Sequence, residues 1–479
     1  MTRRVAIVGG GISGLSLAQF LRCSANANVH VTVFDTGERA CGGRLSSKSI
    51  DGVDVDHGAQ YFTSTSQVFR EEFVRPLVDA GVLETWNDDA VGVLRSGARG
   101  FEAFKDGADR YVGVGGFRAL AEHLEGYADE VRRPQWVGAM SASRFDDKGR
   151  ITEWRLATSD NDRAKQLGAF DFVVIAHNGK CAHRLTSTAK GDGACHKVRN
   201  SLKCVFGIRP SDEIAAEQRL VLSSVWSVMV VLDGDFDFGF EGAHVIDGEP
   251  LSWVSNISAK RAGGGAAATS TSGKTYVVLQ STPEYARDNK VPQEAVPKEK
   301  AREVMETLVA ALERCTNRTL LDKVVDFKSQ LWGAANPLNV ANVDAVLDFD
   351  TSTAAIGDWC STGPACVESA VLSAHALATA LEEHFSGATL SAKSRALASA
   401  RIKWSLPRNG ANTSQGGFPG TNVPAMREAT PMPPNRGGRG RGGRGGRGGR
   451  GGRGGRGGRR GGSKASSASA VAKGVAGKI

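Results

Sequence analysis

Three glycines set between an apolar strand and an apolar helix constrain this 479-residue chain more than any other feature. Arg4-Val-Ala-Ile-Val8 runs directly into Gly9-Gly-Gly11-Ile-Ser13-Gly14, and a helical apolar pattern follows from Leu15 to Leu21. A second strand, Val29 to Phe34, ends on Asp35. Gly9 permits a tight strand-to-helix turn, Gly11 lets the backbone approach a pyrophosphate, and Gly14 lets helix and strand pack closely. The unsatisfied N–H groups of that first turn, which includes Ser13, attract a diphosphate together with the helix dipole. Asp35 stands where a carboxylate can accept from both ribose hydroxyls. Strand, spacing, helix and acid in this order predict a βαβ unit that holds a dinucleotide.

The companions of the glycines narrow the dinucleotide. Gly42-Gly43-Arg44 starts seven residues beyond Asp35, where glycine permits close approach and a guanidinium can bridge phosphate oxygens. In Asp56-His-Gly-Ala59-Gln60, two small residues precede a side chain that both donates and accepts. That suits backbone passing edge-on to a flat ring, with Ala59 and Gln60 beside it; His57 receives no role. Gly357-Asp358, followed by a Gly-Pro turn and a helix starting near Ala365, offers a carboxylate for a polyol hydroxyl. The N–H groups of that helix can face the pyrimidine edge of a flavin. Taken together these segments point to FAD. The run Gly113-Val-Gly115-Gly116 lacks the third glycine at the required place and no acid-ended strand follows it, so it reads as a helix-starting turn.

Charge divides the chain sharply. Residues 401–479 hold 17 Lys and Arg against one Glu, so a net charge of +9 hides a body of −7 and a tail of +16. Between Arg436 and Gly462 the tail is an almost perfect Arg-Gly-Gly repeat with ten arginines. Glycine keeps such a segment disordered, and each guanidinium can pair with phosphate or stack on an unpaired base, which implies weak, salt-dependent, non-specific RNA binding. The eight cysteines form no C-x-x-C pair, which argues against a zinc site or a secreted disulfide framework and for reduced thiols in the cytoplasm or nucleus. No metal cluster is expected. Thr2-Arg-Arg4 and the apolar residues after it read as the first strand rather than a leader. No stretch approaches the ~20 apolar residues that span a bilayer, so no membrane association is expected.

The ordered motifs resemble the FAD-dependent amine oxidase superfamily, most closely its renalase-like branch, over roughly residues 4–385. Asp56 to Thr63 is the most branch-specific piece. By this resemblance Val137 matches the position whose backbone meets adenine, while Gly357, Asp358, Glu368, Ser369 and Ala370 match the C-terminal flavin motif. Trp332 falls where the branch carries an Arg-Trp-Arg-Tyr segment, but Leu331-Trp-Gly-Ala-Ala335 lacks both flanking arginines. The resemblance implies hydride transfer from a small dihydronicotinamide-type donor to flavin and reoxidation by O2 to H2O2. An amine oxidase or flavin desaturase acting on another donor is the alternative, and an RNA-associated protein with an inactive flavin fold is the reading from another class. Tyr61, Phe62, Trp226, Trp253 and Trp332 are candidate aromatic walls for the substrate.

The fold expected is α/β: a Rossmann-type FAD-binding domain with a second, mainly antiparallel-β substrate domain and a disordered C-terminal Arg-Gly-Gly tail. The FAD-binding domain takes residues 1–66, 111–183 and 324–386, and the substrate domain takes 67–110 and 184–323. Residues 387–435 read as linker and 436–479 as the tail. Strands are expected at Trp136 to Met140 and, in the antiparallel sheet, at Ser201 to Ile208, Leu220 to Leu232, Leu251 to Ile257 and Tyr276 to Ser281. Ala262 to Lys274, mostly Gly, Ala, Ser and Thr, reads as a loop within that sheet.

Overall fold

Apolar runs buried on both faces need helices above and below them, and the six-stranded sheet at the centre of the fold has that form. The computed structural model describes residues 2–24, 28–97, 100–189, 194–208, 218–262 and 273–407. The chain divides into two units, Met1–Met426 and Arg427–Ile479, and the described residues all lie in the first. The Arg-Gly-Gly tail and residues 263–272 of the small-residue loop lie outside them.

The six strands run in the order Glu130–Arg132, Val29–Phe34, Arg3–Val8, Phe172–Ile175, Thr353–Ala355 and Val346–Asp348. All neighbouring pairs are parallel except the last. Val5, Ala6, Ile7, Val173, Val174 and Ile175 are fully buried. Helices Ile12–Cys23 and Val367–Ser386 pack on one face of this sheet through Leu15, Leu21, Val371 and Leu377. Gly14 makes that packing possible: a Cβ there would stand 2.1 Å from the Gly9 carbonyl oxygen.

A second, eight-stranded sheet is built around the long strand Leu220–Asp233. Val324–Pro337 pairs along one side of it, and Lys274–Ser281, Leu251–Asn256 and Gly242–Ile246 follow on the other. These pairings are antiparallel; Cys204–Phe206 and Val91–Arg95 join the sheet in parallel. Period-two alternation gives the sheet two different faces. Trp226, Val228, Val230, Val277, Leu279 and Val254 pack with Val304, Leu308 and Leu312 of helix Lys298–Thr316. Met229, Val231, Tyr276 and Val278 pack with Ile50, Val53 and Val55 of the hairpin after Arg44.

Three sequence expectations change here. The strand expected at Trp136 to Met140 begins only at Ala139, because it pairs with Ile151–Ala157 in a separate three-stranded sheet. Within Ser201 to Ile208 only Cys204–Phe206 is a strand, and it lies parallel, not antiparallel, to Leu220–Leu222. The stretch read as linker from residue 387 still carries structure to residue 407. Helix Ala392–Ser399 buries Leu397, and Trp404 packs on Trp359 with ring centroids 5.8 Å apart. The small-residue composition concealed this because one Leu and one Trp are enough to anchor the segment. Trp404→Ala should therefore lower unfolding stability by about 3 kcal/mol, the usual cost of emptying a buried Trp site. A chemical denaturation midpoint equal to that of the parent would contradict the packing.

Candidate functional site

The carboxyl ends of four parallel strands converge on one cavity of about 360 Å³. Gly9 and Gly11 enter it from the first strand, Asp35 from the second, Ala176-His177-Asn178 from Phe172–Ile175, and Ile356-Gly357-Asp358 from Thr353–Ala355. Open α/β sheets place ligands in this crevice, beside strands whose connections diverge. Gly42, Gly43, Arg44, Ala59, Val367 and Ala370 complete the sheet side, Trp332 and Gly333 close it from the eight-stranded sheet, and Gln293 closes it from the loop before helix Lys298–Thr316.

The helix Ile12–Cys23 starts at this cavity with no side-chain cap and no acid in its first turn. A Cβ on Gly11 would meet nothing within 4 Å, and one on Gly43 would meet only the Gly11 Cα at 3.4 Å. A slot bounded by glycine backbone thus faces the uncapped N–H groups, the arrangement that receives an anion. Asp35 Oδ2 accepts from the Gly10 N–H at 2.8 Å and Oδ1 from the Gly37 N–H at 2.6 Å. Burial pushes its carboxyl upward while these two amides pull it back. Each oxygen keeps acceptor capacity for a hydroxyl.

Arg44 is fixed by a fork. Its Nη1 and Nη2 donate to the two Asp358 oxygens at 2.6 and 2.8 Å, and Nη1 also donates to the Ala335 carbonyl at 2.9 Å. The guanidinium expected to bridge phosphates is therefore turned to the carboxylate expected to bind a polyol, and the two sit at one point of the cavity wall.

The remaining expected residues lie apart from the lining. Gly14 is packed under the turn. Gln60 is fully buried and folds back, its Nε2 donating to the Asp56 and Gly58 carbonyls at 2.6 and 3.2 Å. Val137 is buried in the same core cluster as Phe34. Glu368 accepts from the Thr65 hydroxyl at 2.8 Å and the Ser66 N–H at 2.5 Å, tying the closing helix to the end of the Asp56 to Thr63 segment. Ser369 forms a reciprocal cap with Cys366. Of the five aromatic candidates only Trp332 lines the cavity, its Nε1 donating to the His57 carbonyl at 3.1 Å. Tyr61 and Trp253 pack with Trp86, Phe62 with Phe69 and Phe117, and Trp226 faces the Lys298–Thr316 helix on the far side of the sheet.

His177, Asn178, Gln293 and Trp359 line the cavity without having been expected there. His177 and Asn178 directly follow the apolar run Phe170 to Ala176, so the rule that ligands gather at parallel strand ends would have found them. Gln293 lies in a loop with no comparable sequence signal. His177 Nδ1 donates to the Val8 carbonyl at 3.2 Å, and burial holds the imidazole down to about 4, so at neutral pH the ring is uncharged and its other nitrogen is an acceptor. Trp359 Nε1 and Gln60 Oε1 are buried without a partner among the described residues. The glycine slot, the uncapped helix, the Asp35 carboxylate and the unpaired Trp359 Nε1, which lines the cavity, fit an FAD.

The first segment of the chain matches a family model described as an NAD(P)-binding Rossmann-like domain, over residues 7–76. Coproporphyrinogen III oxidase of Mycobacterium leprae (strain TN) is 43% identical over 61 residues, 13% of each chain. The enzyme of the same name from Staphylococcus aureus (strain NCTC 8325 / PS 47) is 37% identical over 71 residues, 15% of each. The chain thus spans only about a seventh of the length of these relatives. Solved structures match far more of it. A reduced UDP-galactopyranose mutase covers 82% of this chain and 96% of its own, with a TM-score of 0.53 and 11% identity. A putrescine oxidase triple mutant, from a redesign of cofactor binding, covers 80% and 99%, with a TM-score of 0.51 and 13% identity. The fold is the mixed α/β fold of the flavin amine oxidase structures.

Two buried histidines behind the cavity couple the fold to pH. His57 and His244 are both held down to about 3, first of all by burial. Below the ordinary value of 6.5 the unfolded chain binds protons that the folded chain refuses, so stability falls with pH from about 6.5 towards 3. For the two residues this amounts to about 4 kcal/mol between pH 7 and pH 5. Urea denaturation at both pH values should show the loss, to which His177 adds a comparable share, and His244→Gln should remove about a third of the total. A flat profile between pH 7 and pH 5 would contradict the assignment.

Proposed function

We propose that this protein is an FAD-dependent oxidoreductase that takes a hydride from a small dihydronicotinamide-type donor, with O2 as the final acceptor and H2O2 as product. The observation that carries the cofactor assignment is the slot at Gly11 and Gly43, open where any side chain would fill it, at an uncapped helix start. Gly9, Gly11, Ser13 and Gly43 would hold the diphosphate, Asp35 a ribose, and Asp358 with Arg44 the polyol and the adjoining phosphate. Bound there, FAD supplies a two-electron acceptor that O2 can reoxidise.

The chain's own groups act by holding and excluding. Trp332 presents a flat wall to the cavity, fixed through its Nε1 on the His57 carbonyl and through its ring against His57 at 5.2 Å. A donor ring lying on that wall is oriented without an acid–base pair, which suits hydride departure from carbon. No group of three His, Cys, Asp or Glu side chains suited to a metal occurs among the described residues. His177, which lines the cavity, and His57, which packs on Trp332, are both neutral at pH 7 and add no charge to it.

The alternative donor is an amine. The protein should be reduced anaerobically by dihydronicotinamide isomers at least tenfold faster than by benzylamine or putrescine, as read by loss of flavin absorbance. Reduction by amines alone would replace this reading with an amine oxidase. For the tail, ten arginines between Arg436 and Gly462 support a second, separate property: salt-sensitive RNA binding that disappears when residues 436–462 are deleted, measured by filter retention. Retention unchanged by the deletion would overturn it.

A further inference from the structure

One transverse row of the eight-stranded sheet sets four polar residues beside a tryptophan. His244 is opposite Trp253, Trp253 opposite Gln280, Gln280 opposite Ser227, and Ser227 opposite Gln330. Directly opposed residues of antiparallel strands project from the same face. This face looks towards the Asp56 to Tyr61 segment, since Gln280 Nε2 donates to the Gly58 carbonyl at 2.7 Å and Tyr61 Oη lies 2.9 Å from His244 Nε2. Trp253, Gln280 and Ser227, and Gln60 above them, are all fully buried.

Four atoms of this cluster have no partner among the described residues: Gln60 Oε1, Gln280 Oε1, Ser227 Oγ and Trp253 Nε1. The orientation of both amides is fixed. Gln60 and Gln280 each donate Nε2 to the same Gly58 carbonyl, which can only accept, so the amide oxygens are the atoms left over. Both amides are anchored on one carbonyl, which keeps their oxygens in one neighbourhood. Unpaired buried polar atoms are costly, and four in a single cluster are unusual.

We infer that this row is a subsite for a primary carboxamide. The complement is specific. Two obligate acceptors need N–H donors, Trp253 Nε1 needs an acceptor, and the Ser227 hydroxyl serves either way. A carboxamide supplies two N–H groups and one carbonyl, whereas an ammonium supplies donors only and leaves Trp253 Nε1 unpaired. A carboxylate supplies acceptors only and faces two amide oxygens. The subsite adjoins the reaction cavity: Ala59, between Gly58 and Gln60, lines that cavity, and so does Trp332, two residues from Gln330. It rests on the reading of that cavity as the reaction site, and it gives a dihydronicotinamide donor a place for its carboxamide that an amine substrate lacks.

The test is calorimetric binding to the purified full-length protein as isolated, which reads affinity without turnover. Benzamide should bind at least tenfold more tightly than benzylamine, benzoate or N,N-dimethylbenzamide, the last of which keeps the carbonyl and lacks the N–H donors. Trp253→Phe, which retains the ring packing, and Gln280→Met should each weaken benzamide about tenfold while leaving benzoate unchanged. Equal affinities across the series on the parent protein would overturn the subsite, whatever the variants do. A crystal structure in which benzamide lies elsewhere and the four atoms bind only water would do the same. Failure of dihydronicotinamides to reduce the flavin, with benzamide selectivity intact, would sink the proposed reaction but not the subsite.

Discussion

Arg44 joins three distant parts of the chain at one point. Its guanidinium binds Asp358 with both Nη atoms and the Ala335 carbonyl with one, so a turn near the N-terminus, the strand Val324–Pro337 and the start of the closing segment share a single cation. Asp358 is almost fully buried and the Arg44 side chain is about one-third exposed. A buried carboxylate needs such a partner, because losing it leaves an uncompensated charge. The cavity is defined by this junction: on one side lie the glycine turn and uncapped helix, on the other the wall formed by Trp332 and Gly333.

Much of the glycine-rich side of the cavity was legible in the sequence, because its requirements are local. The strand, the glycine spacing and the strand-ending acid act within 35 residues, and Gly9, Gly11, Ser13 and Asp35 all reach the cavity. Gly357 and Asp358, more than 300 residues later, reach it too. What the sequence did not disclose was partner choice. Nothing local says that Arg44 faces Asp358, or that Glu368 holds Thr65 and Ser66 rather than a ligand. Those choices arise only when segments far apart in the chain are brought together.

The aromatic candidates show the same limit from another direction. Trp226 and Ser227 are neighbours, yet the pleat sends the tryptophan into the helix-covered core and the serine towards the cavity side. Aromatic size drew attention to Trp226, while the informative residues were the polar ones at its side. Only strand register shows that Ser227, Gln280, Trp253 and His244 form one row. Register depends on pairing, and pairing between segments as distant in the chain as Ser227 and Gln280 cannot be read from composition.

The central claim is that the slot at Gly11 holds the diphosphate of FAD, and Gly11→Val tests it with little risk to folding. Gly11 has an ordinary extended backbone, φ −76° and ψ 178°, and an added Cβ would meet no protein atom within 4 Å. The measurement is the FAD released on denaturation, per chain, from parent and variant proteins of equal thermal midpoint. The parent should release close to one FAD per chain, and the variant less than about a tenth of that, since losing the close approach to a diphosphate costs at least tenfold in affinity. A colourless parent, or a variant that keeps its full FAD, would contradict the account.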